Sequence, residues 1–185
     1  MPKPTWHFTA DLHISHPFMV KYRSFKYMAA HDHAMVEGWN KVVKGKDVVV
    51  VLGDVFWVWN NETKNLWDKV LKGNKILVKG NHDYWLKKAK HPFRRIWNKS
   101  FKDEEGKFYR HIVGCHYPML TWNRKRYGAI HVHGHCHGNI PPYGGRLDVG
   151  VDVAKIMFGE YRPFTFEEVD YLIKGHYKED GDNNE

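Results

Sequence analysis

Short apolar runs alternate along the chain with segments whose apolar positions recur every three or four residues, the order expected of an α/β protein. In "TWHFTA" the apolar Trp6, Phe8 and Ala10 alternate with polar neighbours, which predicts a strand with one buried face. "DVVVVLGD" at 47–54 is an unbroken β-branched run, as expected of a strand buried on both faces. "KILVKGNHD" (75–83), "YRHIVGCHYP" (109–118) and "GAIHVHGHCHG" (128–138) repeat the scheme, each an apolar run that reaches a glycine and then turns polar, and "RLDVGVDV" (146–153) closes the series. Helical spacing of Met35, Val36, Trp39, Val42 and Val43 predicts a helix over 31–44 with Asp32 as its N-cap. Leu66, Trp67, Val70 and Leu71 predict another over 61–73, stopped by Gly73. Thr165 and Glu168 read as a capping box ahead of Val169, Leu172 and Ile173. The closing "KEDGDNNE" is polar and lacks aromatics, so the expected organisation is one domain over 1–176 and an acidic, frayed tail over 177–185.

Composition narrows the class. A chain of 185 residues can bury one sizeable core, and 42% hydrophobic residues with eight Trp exclude a disordered chain. The longest aliphatic run, "VVVVL" at 48–52, is too short to cross a bilayer, and the opening residues lack a hydrophobic signal region, so no membrane partner is expected. Two cysteines exclude a disulfide framework and point to a reducing, cytoplasmic compartment. As strand neighbours of histidines, Cys115 and Cys136 should face the opposite side as small buried residues. A net charge of +8 suits an anionic partner, and nothing in the sequence sets the oligomeric state.

The polar ends of the strands carry the chemistry. Asp11 and His13 lie two apart, which in extended chain points both to one side. Asp54 follows the buried run, Asn81, His82 and Asp83 follow the next, and His116, His135 and His137 follow the last two. In α/β folds ligands gather at the carboxyl ends of strands, so these side chains should converge. Mixed carboxylate and imidazole donors suit Mn²⁺, Fe or Zn²⁺, with Ni also accommodated, whereas Ca²⁺ prefers oxygen alone.

The ordered blocks D-x-H, G-D, G-N-H-D, H and G-H-x-H, running from Asp11 to His137, resemble the calcineurin-like metallophosphoesterase family. The fuller "FTADLHISH" and the later "GVDV" resemble its small single-domain bacterial and phage members. The resemblance implies two packed mixed β-sheets flanked by helices, an αββα sandwich. It also implies two transition-metal ions, manganese foremost. One would be held by Asp11, His13, Asp54 and His137, the other by Asp54, Asn81, His116 and His135, with Asp54 bridging and a hydroxide between the ions as nucleophile. His82 would be the general acid for the leaving group, and Asp83 would hold its ring.

Other residues are less determined. His131 and His133 lie inside the strand ahead of the G-H-x-H block and are expected to support it or pack the core. His16 and Asp152 are candidates for the ligands' surroundings or the substrate, with a local turn contact the alternative. Arg23, Tyr117, Trp122 and Arg124 are candidates for a substrate wall. Residues 86–110 hold nine Lys or Arg against three acids, which reads either as a nucleic-acid-binding surface or as a solvated helix and a hairpin turning at "DEEG". Residues 138–160 are too few for a cap over the site, so broad activity is expected. Three functions remain: a phosphoesterase on small monoesters or diesters, nucleotides among them; a nuclease on single-stranded ends; and a non-catalytic scaffold. No H-E-x-x-H helix supports a zinc peptidase.

Overall fold

A computed structural model of the chain describes residues 3–180. The first sheet is built from the first three runs read as strands: β1 (Trp6–Thr9), β2 (Val48–Val51) and β3 (Asn74–Leu77) are parallel in the order β3-β2-β1. β8 (Phe164–Thr165) adds antiparallel to the other side of β1. The second sheet has the order β4-β5-β6-β7. In it an antiparallel hairpin, β4 (Ile96–Lys102) and β5 (Phe108–Cys115), is followed by parallel β6 (Ile130–His133) and β7 (Arg146–Asp148). The hairpin turns at 103–106, where Asp103 N–H donates to the Lys107 carbonyl, so the "DEEG" segment is the turn expected of it.

Alternation in the strands fixes which face goes where. Phe8, Ala10, Val50 and Leu52 meet Ile112, Ile130, Val132, Leu147 and Val149 between the two sheets. Gly114 lets them approach, since a Cβ there would stand 2.8 Å from Leu52 Cδ2. The intervening Val49 and Val51 face outward against Met35, Trp39, Trp67 and Leu71, so "VVVV" is buried on both faces, as its unbroken pattern predicted. Each such side chain contributes about 1.5–3 kcal/mol of burial. The outer face of the second sheet is covered by the 117–129 loop, where Trp122 and Ala129 pack on Val113 and the Trp122 indole N–H donates to the Ala129 carbonyl.

The helices are α1 (Pro17–Tyr22), α2 (Met28–Val42), α3 (Asn61–Asn65), α4 (Trp85–Ala89), α5 (Val151–Phe158) and α6 (Phe166–Asp180). Three expectations change. α2 begins at Met28, so Asp32 lies a turn inside it, where its carboxylate accepts from Ser15 N–H and Oγ and holds the loop beyond β1 instead of capping the helix. The expected 61–73 helix divides into α3, opened by an Asn60–Thr63 capping box, and a wider π turn at Leu66–Val70. α6 starts from the Thr165–Glu168 box as read and takes in 177–180; the rest of the expected tail lies outside the described residues. Among the described residues no helix is long and apolar enough to cross a membrane.

Candidate metal centre

Beyond β1 the chain stays paired with the chain beyond β2: Asp11 N–H donates to the Gly53 carbonyl, His13 N–H to Asp54 and Ile14 N–H to Val55, at 2.9–3.0 Å. This pairing is not made by extended backbone. Asp11, His13, Asp54, His135 and His137 have φ of 60°, 51°, 55°, 71° and 48°, in the left-handed region. Such residues cost about 1–3 kcal/mol each and persist only where the surroundings over-determine them. The two-residue spacing of Asp11 and His13 therefore works through successive left-handed kinks, not through strand alternation. Glycine closes the remaining gaps, because a Cβ on Gly80 would lie 2.1 Å from Asp54 Oδ1 and one on Gly134 2.6 Å from Asp11 Oδ2.

All the side chains read as ligands are brought together. Asp11, His13 and His137 offer ligand atoms within 4.8 Å of one another, and so do Asp11, Asp54 and His116. Asp11 is common to the two groups, and Asp54 Oδ2, in the second, stands 3.7 Å from His13 Nε2 and 3.4 Å from His116 Nε2. Asn81 Oδ1 is 2.8 Å from His116 Nε2 and 3.0 Å from His135 Nδ1.

The donor set fits metal ions. Asp11 Oδ1 and His13 Nε2 are buried with no hydrogen-bond partner, an arrangement that costs free energy unless a cation completes it. His116 gives its Nδ1 to the Leu52 carbonyl at 2.7 Å, which leaves Nε2 aimed at the oxygens of Asn81 and Asp54. Without a metal, protons must settle these oppositions. Burial raises Asp11 to about 7 and lowers His13 to about 2. Burial also works to lower His116, but the Asp54 carboxylate beside it prevails and raises it to about 9.

A second layer holds the cage. Asp152 Oδ2 accepts from His137 Nδ1 at 2.6 Å, which leaves the other ring nitrogen for a metal. Both Asp152 oxygens also receive Arg23 at 2.7 Å, and Arg23 in turn donates to the carbonyls of Asp11 and Leu12. Arg23 is thus buried under the centre and is no part of a substrate wall; its guanidinium is used up by backbone and carboxylate. Asp83 likewise departs from its expected role. It accepts from the N–H groups of Asp54, Val55 and Gly80 and from the Trp85 indole, so it orients the loop that carries Asp54 and does not hold the His82 ring.

Asp152→Asn should accordingly strand the Arg23 charge and lower stability by about 3–5 kcal/mol at pH 7. Burial works to raise the Asp152 carboxyl, but His137 and Arg23 outweigh it and hold it at about 2. A carboxyl depressed from its unfolded value of about 3.9 contributes stability that is full above that value and is lost as pH falls through the folded value. The deficit of the variant should therefore be full at pH 7 and shrink between about pH 4 and 2. Thermal unfolding of the metal-free proteins checks this, and equal midpoints at pH 7 would refute it.

Around the mouth stand His82, His16 and several rings. The His82 ring is 5.4 Å from that of His13 and 5.6 Å from that of His16, and the Nδ1 atoms of both His16 and His82 are buried without a partner. Trp57, with its ring 4.0 Å from His16 and 5.7 Å from His82, is a wall that the sequence reading missed. Its signal was the aromatic run "VFWVW" directly after Asp54. Tyr117 does join the rim, 4.7 Å from the His135 ring. Trp122 and Arg124 do not: the first is buried against His131, and the second is exposed in the covering loop, where its charge acts on His111. His131 and His133 point to the outer face of the second sheet, lowered to about 4 by burial, and His131 ties down the loop by donating from Nδ1 to the Val113 carbonyl and accepting Met119 N–H at Nε2. Cys115 and Cys136 are free and half-buried, not enclosed in the core as expected.

Comparison with known proteins agrees with this architecture. A family model described as calcineurin-like phosphoesterase matches residues 6–177. An uncharacterized protein of Methanocaldococcus jannaschii is 27% identical over 176 residues, covering 89% of each chain. The gene 66 protein of Mycobacterium phage L5 is 27% identical over 165 residues, 72% of this chain and 77% of its own. A crystal structure of a protein of unknown function from Aquifex aeolicus superposes with a TM-score of 0.66 at 23% identity, covering 92% of this chain and all of that one, a likeness of fold.

Proposed function

Because the chain belongs to the calcineurin-like phosphoesterase family, we propose that it hydrolyses phosphomonoesters or phosphodiesters, nucleotides among them, at a centre of two transition-metal ions. Asp11, His13, Asp54 and His137 would hold one ion and Asp54, Asn81, His116 and His135 the other, with manganese the first choice among Mn, Fe, Zn and Ni. The observation that carries this reading is the pair of buried, unpartnered ligand atoms, Asp11 Oδ1 and His13 Nε2, with Asp11 common to the two donor groups. Bound there, such ions supply an activated water and Lewis-acid stabilisation of the phosphoryl oxygens.

The chain's own residues do the rest. Asp152 and the Leu52 carbonyl fix the rings of His137 and His116, so the site is arranged before substrate arrives. His82 stands at the mouth, where its ring can give a proton to the leaving-group oxygen. His16, beside it, faces the same space and can donate to a phosphoryl oxygen. Trp57 and Tyr117 exclude water from two sides of that space.

The test is metal analysis joined to activity. After reconstitution with Mn²⁺, elemental analysis should give close to two ions per chain, and hydrolysis of bis(4-nitrophenyl) phosphate should vanish with chelator and return with Mn²⁺. Activity untouched by exhaustive chelation, or a reconstituted protein without metal, would defeat the reading.

A further inference from the structure

Beside Asn81 opens a cavity of about 350 Å³ lined by Lys79, Asn81, Arg95, Ile96, Cys115 and Tyr117. It adjoins the centre through two of these: Asn81 Oδ1 lies 2.8 Å from His116 Nε2, and the Tyr117 ring 4.7 Å from that of His135. Its charged side chains, Lys79 and Arg95, are both positive, and neither makes an ion pair among the described residues. Backbone pairing fixes where they stand. Lys79 N–H donates to the Arg94 carbonyl and Arg94 N–H to the Leu77 carbonyl, both at 2.8 Å, so the chain entering β4 is laid along the exit of β3.

Three other cavities among the described residues differ. In the one between α2 and α5, Lys41 is paired with Glu160. The one beside α2 and α3 carries Asp32 and Glu62. In the one beside β3, which Arg94 also lines, Lys75 is bonded to the carbonyls of Leu71 and Gly73, and no residue of the centre takes part. What sets the cavity beside Asn81 apart is that its two cations, free of ion pairs and with Lys79 resting 5.9 Å over the Phe93 ring, stand next to the centre itself.

We propose that this cavity binds a second phosphate of the substrate, so that the substrate class is a phosphoester carrying a further phosphate group. The proposal rests on the phosphoesterase reading above. A guanidinium fork and an ammonium are the pair suited to a phosphate, Arg giving directed hydrogen bonds and Lys a point charge. With the scissile phosphate at the centre and the other between Lys79 and Arg95, Asn81 and Tyr117 lie along the connecting portion. A nucleoside bisphosphate and an oligonucleotide share this chemistry.

The test uses a matched pair of substrates with the Mn²⁺-loaded protein: thymidine 5′-(4-nitrophenyl phosphate) and the same compound bearing a 3′-phosphate. The doubly phosphorylated compound should show a kcat/KM higher by about tenfold or more, the usual scale of hydrogen bonds to a charged group. Lys79→Gln and Arg95→Gln should each remove most of that preference, whereas Lys69→Gln, which lines no part of the cavity, should leave it. Equal efficiency on the pair, or a preference that survives both substitutions, overturns the second site while sparing the phosphoesterase reading. If neither compound is hydrolysed, that reading fails instead, and equilibrium binding of thymidine 3′,5′-bisphosphate to metal-free protein decides the cavity. Binding weakened by Lys79→Gln and Arg95→Gln supports it; no binding, or binding indifferent to both, overturns it. Competition by octathymidylate that exceeds the bisphosphate and falls steeply with salt marks a strand as the source, and equal competition a free nucleotide; both support the site.

Discussion

Asp54→Asn should cost the protein more metal and more activity than any other single replacement at the centre. Its Oδ2 is the atom within 4 Å of both His13 Nε2 and His116 Nε2, at 3.7 and 3.4 Å, so losing its charge weakens both donor groups at once. Two dications about 3.5–4 Å apart repel strongly, and a carboxylate between them offsets that repulsion. An amide does not. The reconstituted variant should hold fewer than one ion per chain, and its rate should fall by more than the roughly 10²–10³-fold that removal of one transition-state donor costs. Asn keeps the volume and the Oδ1 that accepts His82 N–H at 2.8 Å, so the chain should still unfold cooperatively in chelator. Asp11→Asn provides the comparison. It should deplete metal less, because Asp11 Oδ2 is already engaged by His135 N–H and contributes more to holding the loop. A fully loaded Asp54→Asn protein, by elemental analysis after dialysis, would remove Asp54 from the bridging position.

Strand signals were legible because burial writes them directly: "VVVV" had to face apolar neighbours on both sides, and it does, between α2 and the second sheet. The ligand-type residues were legible for a related reason, since each stands where an apolar run ends and the chain must turn. What the sequence hid was direction. Asp83 follows His82 in sequence, but the turn there points its carboxylate back to the N–H groups of Asp54, Val55 and Gly80, a choice made by backbone geometry that no spacing rule conveys. The sequence offers Arg23 for a substrate wall, a place that suits a residue type seldom fully buried. It is buried because Asp152, far along the chain, reaches it, and only the fold brings those two segments together. The basic segment 86–110 was read as a whole, yet its residues divide. Lys87 and Lys88 lie on α4, Lys99 and Lys102 on the edge strand β4, and Arg95, between these elements, joins Lys79 at a cavity next to the centre.

His82→Ala should leave the metal content near normal while lowering the rate by about 10²–10⁴, and the loss should depend on the leaving group. The ring stands at the mouth, 5.4 Å from His13 and 5.7 Å from Trp57, and it is the backbone N–H, not the ring, that bonds to Asp54. Removing the side chain therefore takes away a proton donor without touching a donor group of the metals. Nitrophenolate leaves well without a proton, so an aryl diester should suffer least; an alkoxide or ribose oxygen needs protonation, so an alkyl or nucleotide ester should suffer most. The structure adds a constraint that the sequence did not contain. With Asp83 engaged elsewhere, no carboxylate among the described residues braces the His82 ring, and its neighbour His16 is lowered first by burial and then by the charge of His82 itself. Asp83→Asn should then act through Asp54, lowering metal content and damaging aryl and alkyl substrates alike, whereas His82→Ala should separate them. Rates for one aryl and one alkyl leaving group, measured on both variants alongside their metal content, decide the matter. Equal losses on the two substrates in His82→Ala would mean that the ring supplies charge or position and not the proton.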